Sequence, residues 1–224
     1  MAPRLSVIVP VLNEAACIRE ALEALAPLRA RGHEVIVVDG ASDDGTASLA
    51  AAACDRLLDS ARGRALQMNA GARAAKGDAL VFLHADTRLP EGADELILAA
   101  LARASWGRFD VRIASRRPLL ALVGCAMNLR SRLTGIATGD QAIFVRRDAF
   151  PGFPEIPLME DLALSRLLKR RGAAACLRAR VTTSARRWEA RGALRTIFLM
   201  WRLRLLYALG ATPQRLARDY ADQR

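Results

Sequence analysis

Four short strand-like runs, each followed by a stretch with helical spacing, occupy the first half of the chain: Leu5–Pro10, Glu34–Val38, Arg56–Asp59 and Leu80–Leu83. Leu5-Ser6-Val7-Ile8-Val9 and Leu80-Val81-Phe82-Leu83 show almost no polar alternation, which suits strands buried on both faces. Helical spacing lies between them, over Ala15–Leu28, Ala47–Ala53 and Gly63–Ala75, with a further helix at Glu91–Ala104. Regular strand–helix alternation predicts an α/β fold, a doubly wound and mostly parallel sheet with right-handed crossovers.

The alternation then loosens. Strands are expected at Trp106–Ile113, Ala142–Val145 and Ala174–Thr183, and helices at Leu119–Leu133 and Met159–Arg171. From Arg191 the chain reads as helical and basic. With no composition break, residues 1–190 are expected to form one domain and 191–224 a helical tail. Of 34 cationic residues only Lys76 and Lys169 are lysines, and the formal net charge is +11. That balance favours anionic partners. The arginines are spread out with no aromatic platform between them, so nucleic acid is not expected as a partner.

Cys17, Cys54, Cys125 and Cys176 form no C-x-x-C pair and are expected as reduced core residues in a cytoplasmic chain. The first residues enter a strand pattern at once, without a signal peptide. No stretch of about 20 apolar residues is free of charge, so none is expected to span a membrane.

In open α/β sheets, ligands collect at the carboxyl ends of the strands. Asp39, Gly40 and Asp43 follow the second strand, and His84, Ala85 and Asp86 follow the fourth. Such carboxylates can accept hydrogen bonds from a base or ribose, ligate a hard cation, or simply close turns. His84 and Asp86, two apart, are expected to point the same way off an extended chain. Asn13 is expected to cap the first helix. Asp161 follows a proline-rich loop; it reads either as a general base or as a carboxylate complementing a helix dipole. Arg187-Trp188 could hold a diphosphate or form a basic turn. Neither G-x-G-x-x-G nor G-x-x-x-x-G-K-[ST] is present, so no dinucleotide or P-loop site is supported.

V-I-V-P-V-L-N-E (Val7 to Glu14), V-D-G-A-S-D-D-G-T (Val38 to Thr46), G-R-A-L-Q-M-N-A-G (Gly63 to Gly71), F-L-H-A-D-T (Phe82 to Thr87), M-E-D (Met159 to Asp161) and R-R-W (Arg186 to Trp188) occur in that order. The set resembles the family 2 glycosyltransferases of GT-A fold. More narrowly, L-H-A-D-T with G-D-Q-A-I-F-V-R-R (Gly139 to Arg147) resembles the small bacterial subgroup associated with radical-SAM/selenodomain proteins, some labelled arsenosugar-biosynthesis glycosyltransferases.

This resemblance implies inverting transfer of one sugar from a nucleotide-diphosphate sugar to an acceptor hydroxyl, with Mn²⁺ or Mg²⁺. It assigns Pro10, Asn13, Glu14, Asp39, Gly40, Asp43, Arg64, Asn69, Ala85, Asp86, Arg187 and Trp188 to the donor. Asp86 becomes the metal ligand, with His84 a second candidate, and Asp161 the catalytic base. Gly139, Asp140, Gln141 and Glu160 fall on the acceptor side. His84 stands where the first carboxylate of the family's D-x-D usually lies, Met68 where an Arg is usual, and Ser184 where processive members carry Gln.

A nucleotidyltransferase and a non-catalytic basic binder are the alternative functions. For Leu194–Leu209, apolar almost all round with Arg195, Arg202 and Arg204 interspersed, three placements stay open: on the domain, against a second copy, or at the inner face of the cell membrane.

Overall fold

The structure, a computed structural model, describes residues 3–221, and all side chains among them except those of Arg187, Arg191 and Ala221. Strands β1 (Leu5–Val11), β2 (Glu34–Asp39), β3 (Arg56–Asp59) and β4 (Ala79–Phe82) alternate with helices α1 (Ile18–Glu23), α2 (Ala26–Ala30), α3 (Thr46–Ala51) and α4 (Arg64–Ala74). There follow β5 (Thr87–Arg88), α5 (Ala93–Leu101), β6 (Trp106–Ala114), α6 (Pro118–Thr134), β7 (Ile143–Arg146), α7 (Glu160–Lys169) and β8 (Ala175–Ser184). Helices α8 (Arg186–Arg191), α9 (Ala193–Ala208) and α10 (Pro213–Ala221) end the described chain.

One eight-stranded sheet runs in the order β3-β2-β1-β4-β7-β6-β8-β5. The β3-β2-β1-β4 half is parallel throughout. Strand β7 is antiparallel to both β4 and β6, β8 is parallel to β6, and the two-residue β5 is antiparallel to β8. The expected α/β sheet with a mixed second half is what forms.

The unbroken apolar runs are explained by two cores, one per sheet face. Val7, Val9, Val35, Val37, Val81 and Leu83 pack under Ile18 and Leu22 of α1, Leu28 of α2 and Ile97 of α5. The intervening Ile8, Ile36, Val38, Leu80 and Phe82 pack under Ala65 and Met68 of α4 and Leu164 and Leu168 of α7. Each such side chain, fully buried, contributes about 1.5–3 kcal/mol.

Some expectations need correction. The single helix over Ala15–Leu28 is two, α1 and α2, with Pro27 in the first turn of the second. Proline lacks an amide hydrogen and clashes with the preceding turn, so one helix cannot run through it. Asn13 caps nothing: α1 begins at Ile18 after Cys17, and Asn13 has φ 55° in the loop before it. The cysteines are unpaired; Cys17 and Cys54, half-buried, pack against the core, Cys176 is half-buried, and Cys125 is exposed rather than a core residue. Among the described residues no helix is long and apolar enough to cross a membrane.

Helix α6 is inside-out. Its buried positions are Leu120, Gly124, Asn128 and Ser131, mostly small or polar, while Leu122, Leu129 and Leu133 face outward. It docks on β6 by hydrogen bonds. The Asn128 side-chain amide donates to the Val111 carbonyl (3.0 Å), and the Val111 N–H donates to Asn128 Oδ1 (2.8 Å). Arg132 adds an ion pair to Asp110 at 2.7 Å.

Candidate active site

The loops after β1 and β2 are bound into one unit. Asn13 N–H donates to Ser42 Oγ, and Asp43 N–H donates to Asn13 Oδ1, each at 3.0 Å. Glu14 N–H donates to Thr46 Oγ1 (2.8 Å), and the Asp44 carboxylate accepts from Ala15 N–H (3.0 Å). Asp39 is buried and accepts from the Ser42 N–H (2.9 Å) and hydroxyl. Beneath them, Gln67 Nε2 donates to the carbonyls of Val11 (2.7 Å) and Val38 (2.9 Å), joining the ends of β1 and β2. Gly40 lies directly over that amide: a Cβ there would sit 3.0 Å from it.

A second cluster forms where β4 ends. The extended strand geometry that would line up His84 with Asp86 stops at Phe82, before either residue. Ala85 and Asp86 lie in a turn closed by Thr87 N–H donating to the His84 carbonyl (3.0 Å). The Asp86 carbonyl in turn accepts from Ser184 N–H (3.0 Å). His84 Nδ1 faces Asp140 Oδ1 at 3.4 Å. Its Nε2 is packed on Gly139, where an added Cβ would stand 2.4 Å from it. The His84 ring thus meets Asp140 on one side and the Gly139 backbone on the other.

Asp161 is joined to this cluster through the backbone. Its Oδ2 accepts from Gly139 N–H (2.9 Å) and its Oδ1 from Leu162 N–H (2.8 Å). Glu160 beside it is buried and stands 3.6 Å from Arg64 Nη1. Burial, with Asp161 alongside, raises the Glu160 carboxyl above the usual range against the pull of Arg64. Gln141 is fully buried and accepts from Thr138 N–H (3.2 Å). Asn69 is also buried, its amide engaged on both sides by the backbone of Phe153 (2.8 and 2.9 Å). These bonds tie α4 to the proline-rich loop.

Two cavities divide these residues. Arg64, His84, Gly139, Glu160 and Asp161 surround a space of about 10 Å³, room for a single water. Asp86, Asp140 and Trp188 line one of about 400 Å³ between α6, α9 and the end of β8. The Asp140–His84 contact joins the two. Asp39 lines neither, so the three carboxylates Asp39, Asp86 and Asp161 share a sheet edge but no single described cavity. A groove of about 570 Å³ by Arg112, Ser115, Arg117 and Glu189 holds none of the candidate residues.

The non-glycine residues with positive φ are Asn13, Ala41, Ala142 and Met159. Each sits in or beside a loop that carries candidate residues, and strained backbone of this kind persists where surrounding contacts over-determine it. Residues 6–118, just over half of the chain, match the family described as Glycosyl transferase family 2. The chain belongs to that family.

Several solved structures share this fold. TarS residues 1–349 from S. aureus aligns with TM-score 0.65 and 17% identity, over 81% of this chain and 60% of that one. A mannosyltransferase from Pyrobaculum calidifontis in complex with GDP-Man and Mn²⁺ aligns with TM-score 0.64 and 24% identity, over 91% and 61%. Glucosyl-3-phosphoglycerate synthase from Mycobacterium tuberculosis, with Mg²⁺ and UDP, aligns with TM-score 0.59 and 22% identity, over 81% and 70%. This family 2 chain thus spans about three fifths of the length of the first two. No curated protein sequence matches it.

The R-R-W motif of this glycosyltransferase-family chain lies at the same edge. Arg186 Nη2 reaches Glu14 Oε2 at 3.1 Å, tying the last motif to the first, although Arg187 was the arginine singled out by sequence. The Arg187 side chain lies outside the described residues. Glu14 also receives the Cys17 thiol at 3.1 Å; burial and that carboxylate push the thiol up to about 12, so it stays protonated and unreactive. Gln67 was missed as well. Its only sequence signal was its place in the G-R-A-L-Q-M-N-A-G motif.

Among the described residues, no three His, Cys, Asp or Glu side chains are grouped to cage a metal ion. Asp86 with Asp140 at one cavity edge suits the other mode of binding. There Mg²⁺ or Mn²⁺ takes one or two carboxylates and completes its shell with substrate phosphates and water.

Proposed function

We propose that this chain catalyses inverting transfer of one sugar from a nucleotide-diphosphate sugar to an acceptor hydroxyl. The observation that carries this reading is the junction at Asp140. That residue lines the large cavity with Asp86 and faces His84, whose ring packs on the Gly139 backbone held by Asp161. The cavity that Asp86 lines is thereby linked, through Asp140 and His84, to the carboxylate read as the base.

Pro10, Asn13, Glu14, Asp39, Gly40 and Asp43 form the edge that receives the nucleoside, with Asp39 accepting from base or ribose. Asp86 is the carboxylate placed to hold a divalent cation, with Asp140 next to it. Such a cation, when bound, offsets charge building on the leaving diphosphate. Asp161 takes the proton of the acceptor hydroxyl. That oxygen's lone pair forms the new bond to the anomeric carbon, and the old carbon–oxygen bond leaves with its electrons on the nucleoside diphosphate. A single displacement of this kind inverts the anomeric centre. Trp188 lines the same cavity as Asp86, and the R-R-W stretch is the one assigned to the diphosphate.

The finer kinship, with the small bacterial radical-SAM/selenodomain-associated subgroup, rests on L-H-A-D-T and G-D-Q-A-I-F-V-R-R. We place the protein in the cytoplasm, in peripheral contact with the membrane through the outward apolar faces of α6 and α9.

The test is a thermal-shift screen of nucleotide sugars with Mn²⁺ or Mg²⁺, followed by product analysis. One nucleotide sugar raises the unfolding midpoint in a metal-dependent way, and turnover releases nucleoside diphosphate. Release of pyrophosphate would select nucleotidyl transfer instead. Binding of no nucleotide sugar would end the reading.

A further inference from the structure

The 400 Å³ cavity has walls unlike those of a sugar site. Leu122, Met127, Ile197, Met200 and Trp201 make it mainly apolar, and two guanidiniums, Arg130 and Arg204, project into the same space. Arg130 is in an unusual position. Its Nε and Nη2 are shut off from water and have no hydrogen-bond partner among the described residues. Burial, with Arg204 beside it, pulls this guanidinium down to about 10, and the nearby Asp161 only partly offsets them. Buried donors left unmade are costly, and like charges sharing an apolar enclosure add to the cost. An anion seated between the two arginines would remove both penalties at once.

The apolar walls continue outward. On α9, Leu194, Phe198, Trp201 and Leu205 recur at helical spacing and are exposed, and on α6 Leu119 and Leu122 are exposed beside the cavity. Pockets of this size, apolar with a few convergent polar groups, are typical of small-molecule sites. Here the polar groups are cationic and the body apolar, which defines an amphiphile.

We propose that the cavity between α6 and α9 binds the acceptor, and that the acceptor is an amphiphile with an apolar body and a phosphate-type anionic head held by Arg130 and Arg204. The word acceptor rests on the glycosyltransfer reading above; the binding itself does not. Asp161 lines the smaller neighbouring cavity and acts on Arg130 through its charge, and Asp140 joins the two spaces through His84.

Trp188 and Trp201 both line the cavity, so occupancy changes the tryptophan fluorescence. The experiment titrates the full chain with decyl phosphate below its micellar concentration, and in parallel with decanol and with inorganic phosphate. Decyl phosphate binds at least about tenfold tighter than either, because only it supplies both tail and charge-assisted hydrogen bonds. Arg130→Gln and Arg204→Gln each remove most of that advantage over decanol. Arg204 is half-buried on α9 and outside the sheet core, so its variant carries the test if Arg130→Gln fails to fold.

Equal binding of decanol, equal binding of inorganic phosphate, or undiminished decyl phosphate binding by a folded variant overturns the proposal. Nucleotide sugars that stabilise a protein deaf to decyl phosphate overturn the amphiphile and leave glycosyltransfer standing. Decyl phosphate binding in a protein that takes no nucleotide sugar overturns the acceptor role.

Discussion

At the scale of single residues, the proposed function gives distinct duties to two carboxylates, Asp161 and Asp86. Asp161 accepts from one backbone N–H on each oxygen, so Asp161→Asn, with a single accepting oxygen, keeps the size of the side chain but loses one of those bonds together with the capacity to take a proton. Transfer should fall roughly 100-fold or more, with nucleotide-sugar affinity nearly unchanged. Comparing turnover with the donor dissociation constant checks this; normal turnover in the variant would remove Asp161 from the role. Asp86→Ala should abolish the gain in nucleotide affinity that Mn²⁺ confers, bringing the constant measured with metal to the one measured without it. An unchanged metal-dependent gain, read by calorimetry, would move the ligand elsewhere. These two residues stand out in the sequence because each lies in a short motif at the end of a strand or the start of a helix. Gln67 and Arg186 do not, since their partners, the carbonyls of Val11 and Val38 and the carboxylate of Glu14, are supplied by distant parts of the chain. The pairing of His84 with Asp86 rested on carrying the strand past Phe82, where β4 ends.

At the scale of elements, the parallel half was legible for a physical reason. Strands covered on both faces must be apolar at every position, and β1, β2 and β4 are nearly so. The pattern told less about α6, where periodicity gives the helix but not which face turns inward. Hydrogen bonds from Asn128 and Arg132 to β6 settle that, leaving the leucines outside. Ion pairs between elements were also hidden. Asp94 on α5 accepts from Arg31 (2.6 and 2.9 Å) and faces His33 Nε2 (3.0 Å), where the chain leaves α2 for β2. Burial acts to raise this carboxyl, but Arg31 and His33 outweigh it and bring it from 3.8 to about 2. A depressed carboxyl stabilises the fold above its unfolded value, and that contribution drains away as pH falls toward the folded one. Asp94→Asn should therefore cost on the order of 2 kcal/mol at neutral pH, and the gap from wild type should narrow as the pH is lowered from 3.8 toward 2. Urea unfolding at both ends of that range measures it; a gap independent of pH would mean that Asp94 acts by shape alone.

At the scale of the whole molecule, charge and apolar surface coincide in a way neither α6 nor α9 explains alone. Leu133 is 78% exposed, Phe198 71% and Trp201 70%, on a chain of net charge +11. Contiguous exposed apolar side chains on a monomer mark a surface made for contact. The inner faces of α9 and α10 are already satisfied, with Leu199, Leu203 and Leu216 buried against Met159 and Leu162, so the outer face is free for something else. A basic protein with aromatic and leucine side chains on one face should lie on anionic lipid, through apolar insertion and attraction to the headgroups. The full chain should co-sediment with vesicles of anionic phospholipid, less with zwitterionic ones, and less as salt is raised. Phe198→Ser combined with Trp201→Ser should release it without lowering the unfolding midpoint, since both side chains are already in water. If the wild type stays in the supernatant at low salt, lipid is not the partner of this face. A concentration-dependent rise in mass, lost in the same double variant, would then assign the face to a second copy of the chain.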